Sequence, residues 1–321
     1  MIWRPTRRAR AAQWVLLAAA AGVALLLASL AGANLARQHL PFGFGFLADR
    51  ANFDIPFRLV RWEVGETYAR ALLVCTLNTL LVSAMGIVAA TLLGLLVGIM
   101  RLTDNWLVRN LALGFVELVR NTPQLVQIVF WYVAVLQTLP GPRQSIHLPG
   151  GILLNIRGLY LPGWADGAIH YPALRGFNIS GGVQIPPELV AVWAGLSIYA
   201  SAFIAEIVRA AILSVHRGQR EAALSLGLRP GQVLRKVILP QALRVIVPPL
   251  TSQYLNLIKS SSLGAAVAYP ELFQIFAGTV LNQSGRELET ILILMAIFLS
   301  INLAASALMN WYNVRVALVH R

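Results

Sequence analysis

Long charge-free stretches alternate along this chain with short, strongly basic ones. A hydrocarbon layer of about 30 Å needs roughly 20 residues of helix to cross it. Five runs meet or nearly meet that length: Ala11 to Ala36, Ala71 to Met100, Asn121 to Pro142, Leu189 to Ala205 and Thr290 to Val314. A sixth, Val245 to Ile258, is too short alone at about 1.5 Å per residue. It becomes a span only by running on through Lys259 to about Ala268, which carries a lysine into the membrane. The pattern predicts an all-α integral membrane protein with about six transmembrane helices.

Composition agrees. Of the 321 residues, 57% are hydrophobic and 12% charged, and the mean hydropathy is +0.67, too apolar for an ordinary soluble domain. Six crossings put both termini on one side. With loops assigned alternately, that side holds Arg4, Arg7, Arg8, Arg10, Arg101, Arg109, Arg209, Arg217, Arg220, Arg229, Arg235, Lys236, Arg244, Arg315 and Arg321 against Asp104 and Glu221. The other side holds nine cations and nine acids, so the net charge of +13 falls on one face. The positive-inside rule makes that face cytoplasmic. The basic excess therefore reports topology and requires no nucleic acid; no basic stripe is interleaved with aromatics.

The resulting layout is a basic tail and first helix over 1–36, an outer segment over 37–70, a membrane core over 71–313, and a cytoplasmic tail over 314–321. Within the core lie an outer loop at about 143–187 and a cytoplasmic loop at about 209–244. The apolar stretch from Trp14 to Leu30 exceeds the usual hydrophobic region of a signal peptide, so the first helix is expected to stay uncleaved. Arg7 and Arg8 read as an inner-face anchor. Trp14, Trp62, Trp106, Trp131 and Trp311 fall near span ends, where tryptophan serves as an interfacial anchor.

Candidate chemistry changes the picture mainly by exclusion. Cys75 is the sole cysteine and lies in a predicted span, so no internal disulfide forms. His39, His147, His170, His216 and His320 show no metal-ligand spacing. No nucleophile elbow is present. A phosphate-cradling G-x-x-x-x-G-K-[ST] loop is also missing, so the chain is not expected to bind ATP or any other cofactor.

The most specific polar feature is the loop from Arg217 to Pro240. Gly218 to Leu226 is built of helix formers, Gly227 supplies a left-handed cap, and Pro230 forbids continuation. A second helical piece from Gly231 is expected to run into Pro240. Such a basic hairpin either rests on lipid headgroups or is a handle for a soluble partner, with small residues fitting a groove and arginines pairing with acids. The pattern Glu221-Ala222-Ala223, then Gly227, then Val237-x-Leu239-Pro240 resembles the EAA loop of the membrane subunits of binding-protein-dependent ABC importers, with Val237 where Ile is commoner.

The resemblance spans almost the whole chain. ELVRNTPQLVQ (117–127), SIYASAFIAEIVRAAILSVHRGQREAALSLGL (197–228) and PQALRVIVPPLTSQYLNLIKSSSL (240–263) look like the polar amino-acid permease family. GFGFLADRANFDI (43–55), NIRGLYLP (155–162), FAGTVLNQSG (276–285) and the C-terminal MNWYNVRVALVHR resemble its general L-amino-acid and glutamate/glutamine/aspartate/asparagine branch. Longer members of that branch carry an additional membrane hairpin after the NRGLYLP-like segment. Here too few residues separate Pro162 from Pro187 for two crossings. Ser260 also stands where the branch often has Asn.

The resemblance implies a MetI-like type I importer fold, a five-helix core plus one N-terminal helix, in the bacterial inner membrane. It implies two ATP-binding subunits that hold ATP and Mg, a second and related permease chain, and a periplasmic amino-acid-binding protein at the outer loops. Arg217, Gly218, Gln219, Glu221, Ala222, Ala223, Gly227, Pro230 and Pro240 are then the residues that couple to the ATPase, next to membrane lipid.

Residues of the solute pathway follow from polarity within spans. A cation near the bilayer core costs at least about 2.5 to 3.5 kcal/mol on insertion scales. Lys259 stands roughly 22 Å above Arg244 at helical rise. Either it meets solute, with Ser260, Ser261, Ser262 and Gly264 breaking the helix around a carboxylate, or it snorkels or pairs within its own subunit. Asn78, Gln124, Gln253 and Asn256 are further candidates, with helix-helix hydrogen bonding the competing role. Pro123 is expected to kink its helix, and Glu206 with Arg209 to form an i,i+3 pair at the hairpin's base. A self-contained carrier or a scaffold without transport remain the competing classes, and an associated ATPase separates them from an importer.

Overall fold

The computed structural model describes residues 7–37, 42–165 and 167–316. Arg4, His39, Asp166, His320, Arg321 and all but the first three residues of the expected 314–321 tail lie outside the described residues. The chain divides into two compact units, one up to Phe46 and one from Leu47 onward. In the first, helix α1 (Arg7–Arg37) exposes Trp14, Leu16 and Leu25 alike. A helix apolar all round suits lipid, not a one-sided core.

In the second unit the long helices are α2 (Tyr68–Met100), α5 (Pro187–Ser214), α8 (Leu239–Ser260) and α10 (Glu287–Val316). Among the described residues, three helices are long and apolar enough to cross a membrane: α2, α5 and Glu287–Arg315. The stretch between Arg101 and Arg120, expected as loop, folds into α3 (Trp106–Arg120), started by Asn105, whose Oδ1 accepts from Leu107 N at 3.0 Å. Its apolar residues recur at helical spacing, with Ala112, Val116 and Val119 turned inward. Arg109 and Glu117 interrupt its apolar residues, so no charge-free run marks it in the sequence.

The next helix, α4, begins at Gln124 and continues as a wider π-helical run, Phe130–Leu136. Pro123 does not kink it. The proline takes the extended N-cap position, ψ 136°, where its missing N–H leaves no gap in the helix ladder and its ring forces the preceding residue out of helical space. Trp62 is likewise not an interfacial anchor. Its indole is 1% exposed and stacks on Phe53 at 5.9 Å, inside a small core that the outer segment builds with Ala51 and Ile55.

Helix α2 carries a stripe of small buried residues four apart, Gly86, Ala90, Gly94 and Gly98; Gly86 faces Leu257 of α8, and Gly94 and Gly98 press on α5. A Cβ on Gly94 would lie 2.6 Å from the Cβ of Ile204, and one on Gly98 would lie 2.8 Å from the carbonyl of Ala205. Because lipid tails are as apolar as leucine, such close backbone approach, more than the hydrophobic effect, holds helices together in a bilayer. Around this seam Val82, Ile128, Val192, Leu196, Ala242, Ile246 and Leu257 form a core shared by α2, α4, α5 and α8.

The segment over 143–187 departs from the all-α expectation. It carries an antiparallel sheet in the order β1-β2-β3-β8, built from β1 (Ile146–Leu148), β2 (Ile152–Asn155), β3 (Gly158–Leu161) and β8 (Val183–Ile185). Between β3 and β8 stand two hairpins, β4 (Gly163–Ala165) with β5 (Ala168–His170) and β6 (Ala173–Arg175) with β7 (Asn178–Ser180). Short apolar runs separated by glycines at positive φ, including Gly167 and Gly176, turn too tightly for helix.

Candidate functional site

The first half of the basic hairpin takes the form its sequence indicates. Helix α6 (Arg217–Ser225) starts at His216, whose Nδ1 accepts from Gly218 N at 3.1 Å. It ends on Gly227 at φ +81°. Gly227 N donates to Leu224 O at 2.9 Å and Leu228 N to Ala223 O at 3.2 Å, the paired bonds of a Schellman cap. Pro230 then opens the single turn α7 (Pro230–Val233), where Arg229 N donates to Gln232 Oε1 at 3.0 Å.

Only Ala223 of α6 is buried. Arg217, Gln219, Arg220, Glu221 and Ala222 are exposed, Gly218 is half-buried, and Leu226 is 84% exposed. The outward face is thus small and apolar at its centre with cations around it. Pro240 does not end the second helical piece. A π-helical run, Leu234–Ile238, precedes it and α8 follows, because the wider turn accommodates a residue that lacks N–H and crowds the carbonyl four back. The backbone is consequently helical from Pro230 to Ser260. Gln241 Nε2 donates to Gln219 Oε1 and to Val237 O, the latter at 3.0 Å, which ties α6 to the start of α8.

Above this hairpin the expected Glu206–Arg209 pair, 2.5 Å apart, gains a third member. Arg101, the C-cap of α2, also donates to Glu206. One carboxylate therefore joins the C-terminal end of α2 to α5, with side chains 11 to 30% exposed. Glu206→Gln is expected to lower stability by about 1 to 3 kcal/mol, the cost of leaving half-buried charges without their partner. A thermal melt of the purified protein checks this, and an unchanged midpoint contradicts it.

The second feature is a cavity of about 140 Å³ lined by Gln124, Tyr199, Ala200, Phe203, Gln253, Asn256, Leu257 and Ser260. Four of the expected pathway residues, Gln124, Gln253, Asn256 and Ser260, come together there from α4 and α8. Tyr199 and Phe203, four apart on α5 and 5.0 Å between ring centres, were not singled out from the sequence; their i,i+4 spacing on an otherwise small-residue face was the available signal. Arg120 lies 5.1 Å over the Phe203 ring and brings a cation close without lining the cavity.

The other candidates sit elsewhere. Asn78 is fully buried and its Nδ2 donates to Phe57 O and Pro270 O, both at 2.8 Å. These bonds tie α2 to the segments around Phe57 and Pro270. Ser261 is also buried and bonds Ile258 O at 2.7 Å, while Ser262 bonds Lys259 O at 2.9 Å. Lys259 is exposed, does not line the cavity, and forms no ion pair among the described residues.

The helix break does fall where the serines stand. α8 stops at Ser260, a 3-10 run covers Ser261–Val267, and Ala268 reverses the chain at φ +57°. Glu271, one of the nine acids expected on the face opposite the basic one, is fully buried. Its carboxylate accepts from Phe273 N at 2.9 Å and Gln274 N at 2.6 Å, and Thr79 Oγ1 accepts from Leu272 N at 3.0 Å. The reversal is thereby pinned to α2 beside Asn78. Beyond it a π-helical run, Gln274–Val280, leads through α9 (Leu281–Ser284) to α10.

A helical membrane core carrying a capped basic hairpin and a polar cavity defines a transport subunit, and residues 86–318 match the family described as binding-protein-dependent transport system inner membrane component. The chain belongs to that family of permease subunits. It is therefore not itself an enzyme; ATP hydrolysis in these systems resides on a separate subunit. The chain is 44% identical to the putative amino-acid ABC transporter permease protein YhdX of Escherichia coli, over 99% of this chain and 96% of that one. It is 41% identical to the general L-amino acid transport system permease protein AapQ of Rhizobium johnstonii, over 90% and 87%.

The alignment with the first covers 377 positions against 321 residues here, so that relative has stretches without counterpart in this chain. Among solved structures, a crystal structure of an amino acid ABC transporter with histidines shares the fold at a TM-score of 0.59 and 24% identity. It covers 77% of this chain and 95% of that one.

Proposed function

We propose that this chain is the membrane subunit through which an ATP-driven importer moves L-amino acids, of polar, acidic or amide side chain, across the bacterial inner membrane by alternating access. One observation carries the mechanism: the helical path from Pro230 to Ser260 connects the hairpin at one end with the cavity at the other. Gln253, Asn256 and Ser260 recur at helical spacing on α8, so displacement of α6 by a partner moves the cavity wall directly. The importance of amide and hydroxyl groups is that they meet both the carboxylate and the ammonium of an amino acid without a fixed charge to trap it.

In this reading two ATP-binding subunits hold ATP and Mg and grip α6 of this chain and the equivalent of a second, related permease chain. A periplasmic binding protein delivers solute to the outer loops at 37–70 and 143–187. Six spans, with 209–244 and both termini in the cytoplasm, follow from the charge distribution. Arg217, Gly218, Gln219, Glu221 and Ala222 present the coupling surface; Ala223, buried beneath it, with Gly227, Pro230 and Pro240 shapes it. Gln124, Asn256 and Ser260 contact the passing solute, joined by Gln253.

The test is a double substitution, Gln253→Leu with Asn256→Leu, in the reconstituted complex. Losing two hydrogen bonds of about 0.5 to 1.5 kcal/mol each is expected to cut uptake about tenfold. ATP hydrolysis stimulated by the binding protein should persist. Undiminished uptake would remove the cavity from the pathway.

A further inference from the structure

The two hairpins at 163–180 carry large apolar side chains that stand largely uncovered. Trp164 is 74% and Phe177 73% exposed, and Ile169, Tyr171 and Leu174 are exposed as well. Three-residue strands in isolated pairs build no core of their own and are marginal in water, so this surface calls for a permanent cover.

Their place in the fold says what that cover is. They leave the sheet at the end of β3 and return at β8, which stops one residue short of α5. A Cβ on Gly182 would lie 2.3 Å from Leu161 O and one on Gly181 2.7 Å from Tyr171 O, so the chain returning to β8 passes close to where the hairpins leave β3. Helix α5 has 28 residues, about 42 Å at helical rise, whereas the hydrocarbon is about 30 Å thick. Its charge-free run begins only at Leu189, after Pro187 and Glu188, so its first turn stands at the headgroup level and the hairpins branch off there.

Composition fits the same layer. Trp and Tyr concentrate at membrane interfaces because one end of the ring is apolar and the other polar. From 143 to 186 the sequence holds Arg143, Arg157 and Arg175 against Asp166 alone. Arg143 lies over the Phe177 ring at 4.1 Å, a cation held beside an apolar wedge. A binding protein docks and leaves with each cycle and would expose these rings to water in between; lipid never leaves.

We infer that hairpins β4–β5 and β6–β7 form an interfacial anchor, with Trp164 and Phe177 inserted among outer-leaflet headgroups and Arg143 and Arg175 turned toward lipid phosphates. The inference rests on α5 crossing the membrane and is independent of what solute is moved.

It is tested on the full complex in vesicles of phosphatidylethanolamine and phosphatidylglycerol. An NBD label is placed at Trp164→Cys, separately at Phe177→Cys, and at Arg61→Cys as a water-exposed reference; the buried Cys75 stays unlabelled. Lipids with a nitroxide near the headgroup should quench the labels at 164 and 177 at least twofold more than the label at 61, and aqueous iodide at most half as well. Equal iodide quenching at all three sites overturns the proposal. So does protection at 164 and 177 that arises only when the periplasmic binding protein is added, which would assign the patch to that protein.

Discussion

A Gly227→Val permease is expected to reach the membrane, assemble and transport at less than a tenth of the normal rate. The backbone there stands at φ +81° with no atom within 4 Å of an added Cβ, so space is not the obstacle. A β-branched residue in left-handed conformation costs about 1 to 2 kcal/mol, and the cheapest escape is to unwind the cap. Doing so frees the carbonyls of Ala223 and Leu224, which accept from Leu228 N and Gly227 N, and tilts α6 against α7. The ATPase would then turn over without moving α8. Gly227→Asn serves as the internal standard, because Asn enters the left-handed region far more readily. Uptake and ATP hydrolysis measured side by side should show valine uncoupled and asparagine largely coupled. Equal transport by both variants would mean that the cap does not set the position of α6.

The second large effect is expected at Gly94. Leucine there must displace Ile204 and the Ser201 carbonyl, which a Cβ alone would approach to 2.6 and 2.9 Å. Overpacking of this kind costs about 1 to 3 kcal/mol or more, and in a bilayer no hydrophobic gain offsets it. Gly94→Leu should therefore lower the thermal midpoint and the yield of folded protein sharply. Gly114→Ala on α3, with nothing within 4 Å, should leave both unchanged or slightly improved. Combining Gly94→Ala with Ile204→Ala should recover part of the loss of Gly94→Ala alone, as expected of residues in direct contact. A fully additive pair would argue against the close α2–α5 seam.

Much of this was readable from residue order because it depends on local chemistry. The courses of α2 and α10 follow from uninterrupted apolar runs, the α6 cap from Gly227 and Pro230, and the break after α8 from Ser260 to Gly264; α5 runs nine residues past its apolar stretch, through Glu206 and Arg209 to Ser214. What depends on distant packing was not. Asn78 and Asn256 are both amides in apolar helices, and only tertiary structure puts one between Phe57 and Pro270 and the other at a cavity. Glu271 looks like a loop acid until the chain reversal at Ala268 buries it against backbone N–H groups of its own next turn. The strands over 143–187 are three or four residues long, below the length at which alternation can be told from noise, and α3 was hidden by the charges on its outer face.

In the proposed mechanism the hairpin is the point where an external motor acts. The most direct measurement is uptake of labelled amino acid by proteoliposomes that contain the permease pair and the binding protein, with and without the ATP-binding subunits. Uptake should require both those subunits and ATP, and should vanish in either one's absence. Accumulation of solute by the permease alone, driven by an ion gradient, would contradict the account.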